Sequence, residues 1–251
     1  MSDSIVEKSV FAYDTERPYN IISKSSLCSG GAEQVERTYY SNNTIPDKES
    51  LTTSQRSAIQ LLTSRNYLTT PVQQTMEKKD KRLYSVLRGY SSSLSSGMVV
   101  EDQYYCKGTD KYEKRISYNK YDIYGNPVYI NKDGAEKVVY LWGYKGQYLL
   151  AEIKGATYEE VKKALMVDPA SMSSCILPSI PLYLDMIDNL YKTLPSALIT
   201  SYTYHPLIGI SGIISPNKAK TTFEYNSDSQ LIRIKDTEGK TMEEYQHHFR
   251  P

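Results

Sequence analysis

The residues able to do chemistry are few, and their spacing serves it poorly. The three histidines are His205, His247 and His248. His247 and His248 are neighbours, so on a strand they point to opposite faces and do not readily ligate one metal. His205 precedes Pro206 and reads as a turn residue. Cys28, Cys106 and Cys175 form an odd, widely spaced set without a CxxC pair, which predicts independent free thiols. Asp122, Tyr124 and Asn126 alternate like the opening of a calcium loop. Pro127, however, stands where glycine is needed, and no bidentate glutamate follows. Asn226, Asp228 and Gln230 fail in the same way, with Leu231 at the glycine position. No GxSxG, Walker loop, GxGxxG or HExxH occurs. The carboxylate pairs Glu159–Glu160 and Glu243–Glu244 read as a capped helix start and a solvated strand. No catalytic residue, cofactor site or metal ligand is assigned, and the chain is read as a non-enzyme. The constellation best suited to a ligand is aromatic. Val138, Tyr140, Trp142 and Tyr144 fall at period two on one strand face, with Lys137, Val139 and Leu141 on the other. Tyr140, Trp142 and Tyr144 are thus the candidate ligand surface, of a kind that stacks on sugars. The competing reading, ordinary sheet packing, fits better because Tyr recurs at strand period throughout the chain.

The elements that hold this aromatic face lie in Tyr118 to Tyr144. The stretch reads as strand, turn at Gly125-Asn126-Pro127, strand, turn at Asp133-Gly134, strand. Asp122 and Gly125 form a turn device, because Asp can bond backbone N–H groups two residues on and Gly permits positive φ. A second copy follows near the chain end. Tyr121-Asp122-Ile123-Tyr124-Gly125-Asn126-Pro127 aligns with Tyr225-Asn226-Ser227-Asp228-Ser229-Gln230-Leu231. Val128 and Ile130 then match Ile232 and Ile234, and the turn Asp133-Gly134 matches Asp236-Thr237-Glu238-Gly239. With Asn226 for Asp and Ser229 for Gly, this second unit reads as a worn one. A degenerate third copy opens the chain at Phe11-Ala12-Tyr13-Asp14, closed by Glu36-Arg37-Thr38-Tyr39-Tyr40. Repeated units of this kind bury their apolar faces against one another. The structural turn residues are Tyr121, Asp122, Gly125, Asp133, Gly134 and Gly239.

These residues resemble the bacterial YD-repeat (Rhs) family, in its C-terminal repeat region. Tyr-Asp followed by Gly, a short strand, Asp-Gly or Asp-x-x-Gly and a strand ending in Tyr is that family's pattern. Tyr140-Leu141-Trp142-Gly143-Tyr144, Ala151-Glu152-Ile153 with Ala156-Thr157-Tyr158, Leu194-Pro195, Thr203 to Gly209 and Thr222-Phe223-Glu224-Tyr225 fit the same series. The resemblance covers roughly Lys114 to Phe249. It implies a structural or interaction segment of a surface or secreted protein. Alternatives are a carbohydrate-binding module and, more distantly, part of a shell enclosing a toxin. It further implies further YD-repeat units or polysaccharide as partners, and the cell surface or extracellular space as location.

The rest of the chain reads as mainly β, in repeating antiparallel hairpins with two or three inserted helices. Residues 1–113 read as degenerate strand repeats with a helix around 54–67, and residues 114–251 as the YD-repeat region with a helical insertion at 157–194. Glu7 to Tyr13 and Arg17 to Lys24 are the first predicted hairpin, continued by Gln34 to Tyr40. Thr52 or Thr53 caps the first helix, Thr157 and Glu160 form a capping box on the second, and Pro181 to Leu194 is the third. A net charge of +1 gives no steering toward nucleic acid or acidic lipid. Tyr occurs 24 times against 3 Phe and 1 Trp, which suits half-buried strands whose hydroxyls reach water or a partner. No run approaches the ~18 apolar residues of a membrane span. No signal peptide is visible at Met1, which predicts a fragment or cut-down chain. Its first strands, carrying apolar residues and no capping helix, are then expected to pair with another chain or lie under the Pro181–Leu194 helix.

Overall fold

The computed structural model describes residues 8–27, 31–94, 97–176 and 180–247. Glu7, Cys28, His248 and Phe249, at which some of the readings above begin, end or rest, lie outside these. Fifteen strands follow one another in chain order, so the expected β architecture of consecutive hairpins is present. The chain divides into two compact units, Met1–Asn119 with Asn131–Gly134, and Lys120–Ile130 with Ala135–Pro251.

The first unit carries β1 (Ser9–Tyr13), β2 (Ile21–Leu27), β3 (Glu33–Tyr40), β4 (Pro71–Lys78), β5 (Lys81–Ser91), β6 (Val99–Lys107) and most of β7 (Glu113–Tyr121). Each is antiparallel to the next. The first hairpin runs later than the sequence suggests, because Arg17 to Asn20 is a turn, with Asn20 N–H donating to Arg17 O at 2.8 Å. β3 lies between β2 and β4, so Gln34 to Tyr40 is not an edge. Among the described residues β1 pairs with β2 alone.

One helix, α1 (Thr53–Ser64), packs on this sheet. Thr52 caps it through a full capping box with Gln55. Ala58, Ile59 and Leu62 are buried with Ile45, Leu51, Val72, Leu87 and Tyr90. Gln55 is itself buried. Its Nε2 donates to Glu101 Oε2 and Asp102 Oδ2 at 3.0 Å, and its Oε1 accepts from Thr52 N–H and the Tyr104 hydroxyl. Asp102 also accepts from Ser117 Oγ at 2.8 Å and pairs with Lys114 at 3.3 Å. A buried carboxylate is tolerable when its lone pairs are filled in this way.

The second unit carries most of β8 (Pro127–Lys132), and β9 (Glu136–Gly143), β10 (Tyr148–Lys154), β11 (Leu198–His205), β12 (Gly209–Ile214), β13 (Lys220–Tyr225), β14 (Leu231–Lys235) and β15 (Thr241–Glu244). Two helices, α2 (Tyr158–Leu165) and α3 (Ile180–Thr193), lie between β10 and β11. A 3₁₀ segment at Pro169–Ser174 joins the same insertion, which the sequence did not announce. The capping box of Thr157 and Glu160 is present. Val139, Leu141, Leu150, Ile153 and Ile199 from the strands meet Val161, Leu165, Ile187 and Leu190 from the helices in one core. Ile180, Ile187 and Leu190 of α3 are therefore spent inside its own unit, while Leu182 stays exposed. No helix of the described residues is long and apolar enough to cross a membrane.

Candidate ligand surface

The turn at Asp122 is built from one carboxylate. Asp122 is buried, and its Oδ1 accepts the N–H groups of Tyr124 and Asn126 at 2.9 and 2.8 Å. Asp122 N–H donates to Asn126 O at 3.0 Å, and Gly125 N–H to Asp122 O at 3.2 Å. Gly125 has φ +83. The four bonds close five residues into a compact loop with a left-handed fourth position.

The same four bonds recur twice. Asn226 accepts from Asp228 and Gln230 N–H through Oδ1 at 3.0 and 2.9 Å, and Ser229 holds the left-handed position at φ +62. Asp236 accepts from Glu238 and Lys240 N–H at 3.0 and 2.9 Å, and Gly239 holds it at φ +81. The backbone bonds match as well, Asn226 N–H to Gln230 O at 2.9 Å and Asp236 N–H to Lys240 O at 3.0 Å. The second copy therefore keeps the geometry that its substitutions seemed to erode. A compensating exchange explains this. Asn126 Nδ2 donates to Asp122 Oδ2 at 3.0 Å, whereas Asn226 Nδ2 donates to Gln230 Oε1 at 3.0 Å. The partner of the Asp236 turn is also corrected: it matches Asp122 to Asn126 and not Asp133-Gly134. The latter is a two-residue turn with φ +46 and +72, pinned by the Arg115–Asp133 ion pair at 3.0 Å. Tyr121 ends β7.

The aromatic face is arranged differently from the period-two reading. Val139 and Leu141 point into the core and are fully buried, while Tyr140 and Trp142 are half-buried on the other side. Trp142 Nε1 donates to Pro127 O at 2.8 Å. Tyr144 leaves the strand, at φ +52 and one residue beyond β9. Its ring packs edge-on against Tyr148 at 5.1 Å and Tyr204 at 6.5 Å, and Tyr148 lies 4.7 Å from Tyr204. The assembled group is thus Tyr144–Tyr148–Tyr204. Tyr148 and Tyr204 went unselected because their neighbourhood depends on the β10–β11 pairing, across the helical insertion. Tyr204 donates to Leu149 O at 2.8 Å, and burial pushes its phenol up to about 12. Burial pushes Tyr144 up as well.

The two thiols among the described residues are withdrawn from solvent. Cys106 and Cys175 are buried, and burial raises both thiols, which disfavours the reactive thiolate. A serine, a phenol and a carboxylate do come together in the first unit. Tyr112 Oη lies 2.6 Å from Ser85 Oγ and 2.9 Å from Asp47 Oδ2, which also pairs with Arg82 at 3.0 Å. Ser85 has no exposed surface, and burial pushes the Tyr112 phenol up. This cluster tethers the segment before α1 to β4 and β5. Glu160 caps α2 through Thr157, whose backbone N–H bond lowers its carboxyl. Glu243 and Glu244 are exposed on β15, the latter paired with Arg233 at 3.0 Å. His205 is the last residue of β11, paired with Gly209, and not a turn residue as its place before Pro206 suggests; it lies 6.3 Å from the Tyr225 ring, and His247 Nε2 meets Leu231 O at 2.8 Å. No three His, Cys, Asp or Glu side chains gather to hold a metal among the described residues.

No protein-family model matches the chain, and no curated protein does. Solved structures do match over most of its length. The crystal structure of TcdB2-TccC3-Cdc42 is 12% identical, with a TM-score of 0.37, over 91% of this chain and 12% of that one. TcdB2-TccC3 without its hypervariable C-terminal region gives the same values. A TccC3 variant of the Photorhabdus luminescens Tc holotoxin pore is 11% identical, with a TM-score of 0.37, over 91% of this chain and 11% of that one. The chain thus spans about an eighth or a ninth of the chains it matches.

Proposed function

We propose that this chain is a non-catalytic structural or interaction segment of a YD-repeat (Rhs-like) surface or secreted protein. The observation that carries the reading is the five-residue Asx turn, made three times with the same four hydrogen bonds. A chain that repeats one turn device at three of its strand connections invests its polar groups in folding. The polar groups best placed for chemistry, at Ser85, Cys106, Cys175 and Tyr204, are consumed or buried internally.

A carbohydrate-binding role is the second reading, favoured by the half-buried Trp142 and the Tyr144–Tyr148–Tyr204 group. Trp142 is the chain's single tryptophan, so its fluorescence reports on that region alone. The isolated chain, titrated with neutral and acidic polysaccharides, is expected to show no saturable change in Trp142 emission. A saturable shift with one class of polysaccharide would replace the structural reading with the carbohydrate one.

A further inference from the structure

Four exposed apolar side chains stand on two turns of the second unit, and these turns are joined by contacts. Ile123 and Tyr124, in the Asp122 loop, are 68% and 45% exposed, and Leu207 and Ile208, between β11 and β12, are 95% and 44% exposed. The turn between β9 and β10 links them. A side chain on Gly146 would meet the Tyr124 ring at 2.8 Å, and Asn126 Nδ2 donates to Gly146 O at 2.9 Å. On the other side Leu207 N–H donates to Tyr148 Oη at 3.2 Å, and the Tyr148 ring packs against those of Tyr144 and Tyr204. Leu207 also holds φ +68, a conformation that Gly or Asn adopts more readily. The chain thus accepts a left-handed backbone in order to project a leucine into solvent, where it gains no burial.

We propose that these two tips form an anchor to a lipid bilayer surface. Ile123, Leu207 and Ile208 enter the boundary between headgroups and acyl chains, with Tyr124, Tyr144 and Tyr148 at headgroup depth. Three features favour lipid. Exposed aliphatic side chains stand beside tyrosines, the pairing of an apolar body with amphipathic rings that suits a membrane interface. Exposed Lys145 lies on the turn between the two tips and complements anionic headgroups. The N–H groups of Tyr124, Leu207 and Ile208 are closed by internal bonds, to Asp122 Oδ1, Tyr148 Oη and His205 O, so their entry leaves these donors paired. A net charge of +1 supplies no long-range pull, and affinity then follows the apolar area inserted.

Co-sedimentation with phosphatidylcholine vesicles, and with vesicles containing phosphatidylserine, tests the anchor. The full chain is expected to bind both and to prefer the anionic ones. Ile123→Ser with Leu207→Asn should weaken binding roughly tenfold or more, as losing two buried aliphatic side chains requires. Because Asn accepts the left-handed position better than Leu, the melting temperature of Leu207→Asn alone should not fall. Lys145→Glu should abolish only the anionic preference. Absence of vesicle binding, or binding unchanged in the double variant, overturns the proposal. A dimer without vesicle binding that the double variant converts to monomer would also overturn it, and would assign the patch to a second copy of the chain.

Discussion

Gly125 and Ser229 occupy the same place in the same loop, and only one of them suits it. Gly125 has open space around a would-be Cβ and φ +83, so a side chain there costs through backbone strain alone. Replacing Gly125 by Val should destabilise the fold by about 1–3 kcal/mol. Ser229, at φ +62, carries a strain that glycine lacks, partly offset by the greater entropy glycine loses on folding. Ser229→Gly should therefore stabilise by about 0.5–1 kcal/mol. Thermal melts of both variants check the pair, and equal shifts of the same sign would refute the shared geometry. The Asp122–Gly125 device was legible because both residues have local, known preferences. The Asn226 copy looked worn because its repair lies in Gln230, four residues on, and single-position comparison does not register a paired exchange.

Among the elements, α1 depends on an interaction between two residues that look unrelated in sequence. Gly89, in β5, lies directly beneath the buried Gln55 amide. A methyl group on Gly89 would sit 2.5 Å from Gln55 Nε2, forcing that side chain away from Glu101 and Asp102. Gly89→Ala should cost about 1–3 kcal/mol, the penalty of leaving buried polar groups unpaired. In a Gln55→Ala background the collision is gone, so the same substitution should cost little. Denaturant melts of the double-mutant cycle should give strong non-additivity, and additive effects would show that the amide is not seated on Gly89. Helix and strand positions were largely readable, since Thr52, Thr157 and the Gly and Asp turns act locally. Tyr144 was misplaced because the period-two rule has no signal for where a strand ends. Its exit at φ +52 begins a turn that Lys145 and Gly146 continue at +58 and +74.

On the scale of the whole molecule, tyrosines enclosed in each unit make stability sensitive to alkali. Tyr90 in the first unit is buried and donates to Pro71 O at 2.8 Å, and burial pushes its phenol up to about 12. Tyr204 in the second unit is likewise pushed up by burial to about 12. A phenol whose folded value lies above its ordinary 10.0 is stabilising in full below that pH, because folded and unfolded chains are then both neutral there. As pH rises from about 10 toward 12 the unfolded chain ionises first, and this contribution is lost. With 24 tyrosines in the chain, phenolate absorbance is a strong signal. Tyr90 and Tyr204 should ionise only with loss of the β circular dichroism, nearer pH 12. Tyr90→Phe and Tyr204→Phe should each make stability fall less steeply with pH across that interval. Reversible ionisation of these two phenols near pH 10, with the β signal intact, would show that neither hydroxyl is enclosed as described.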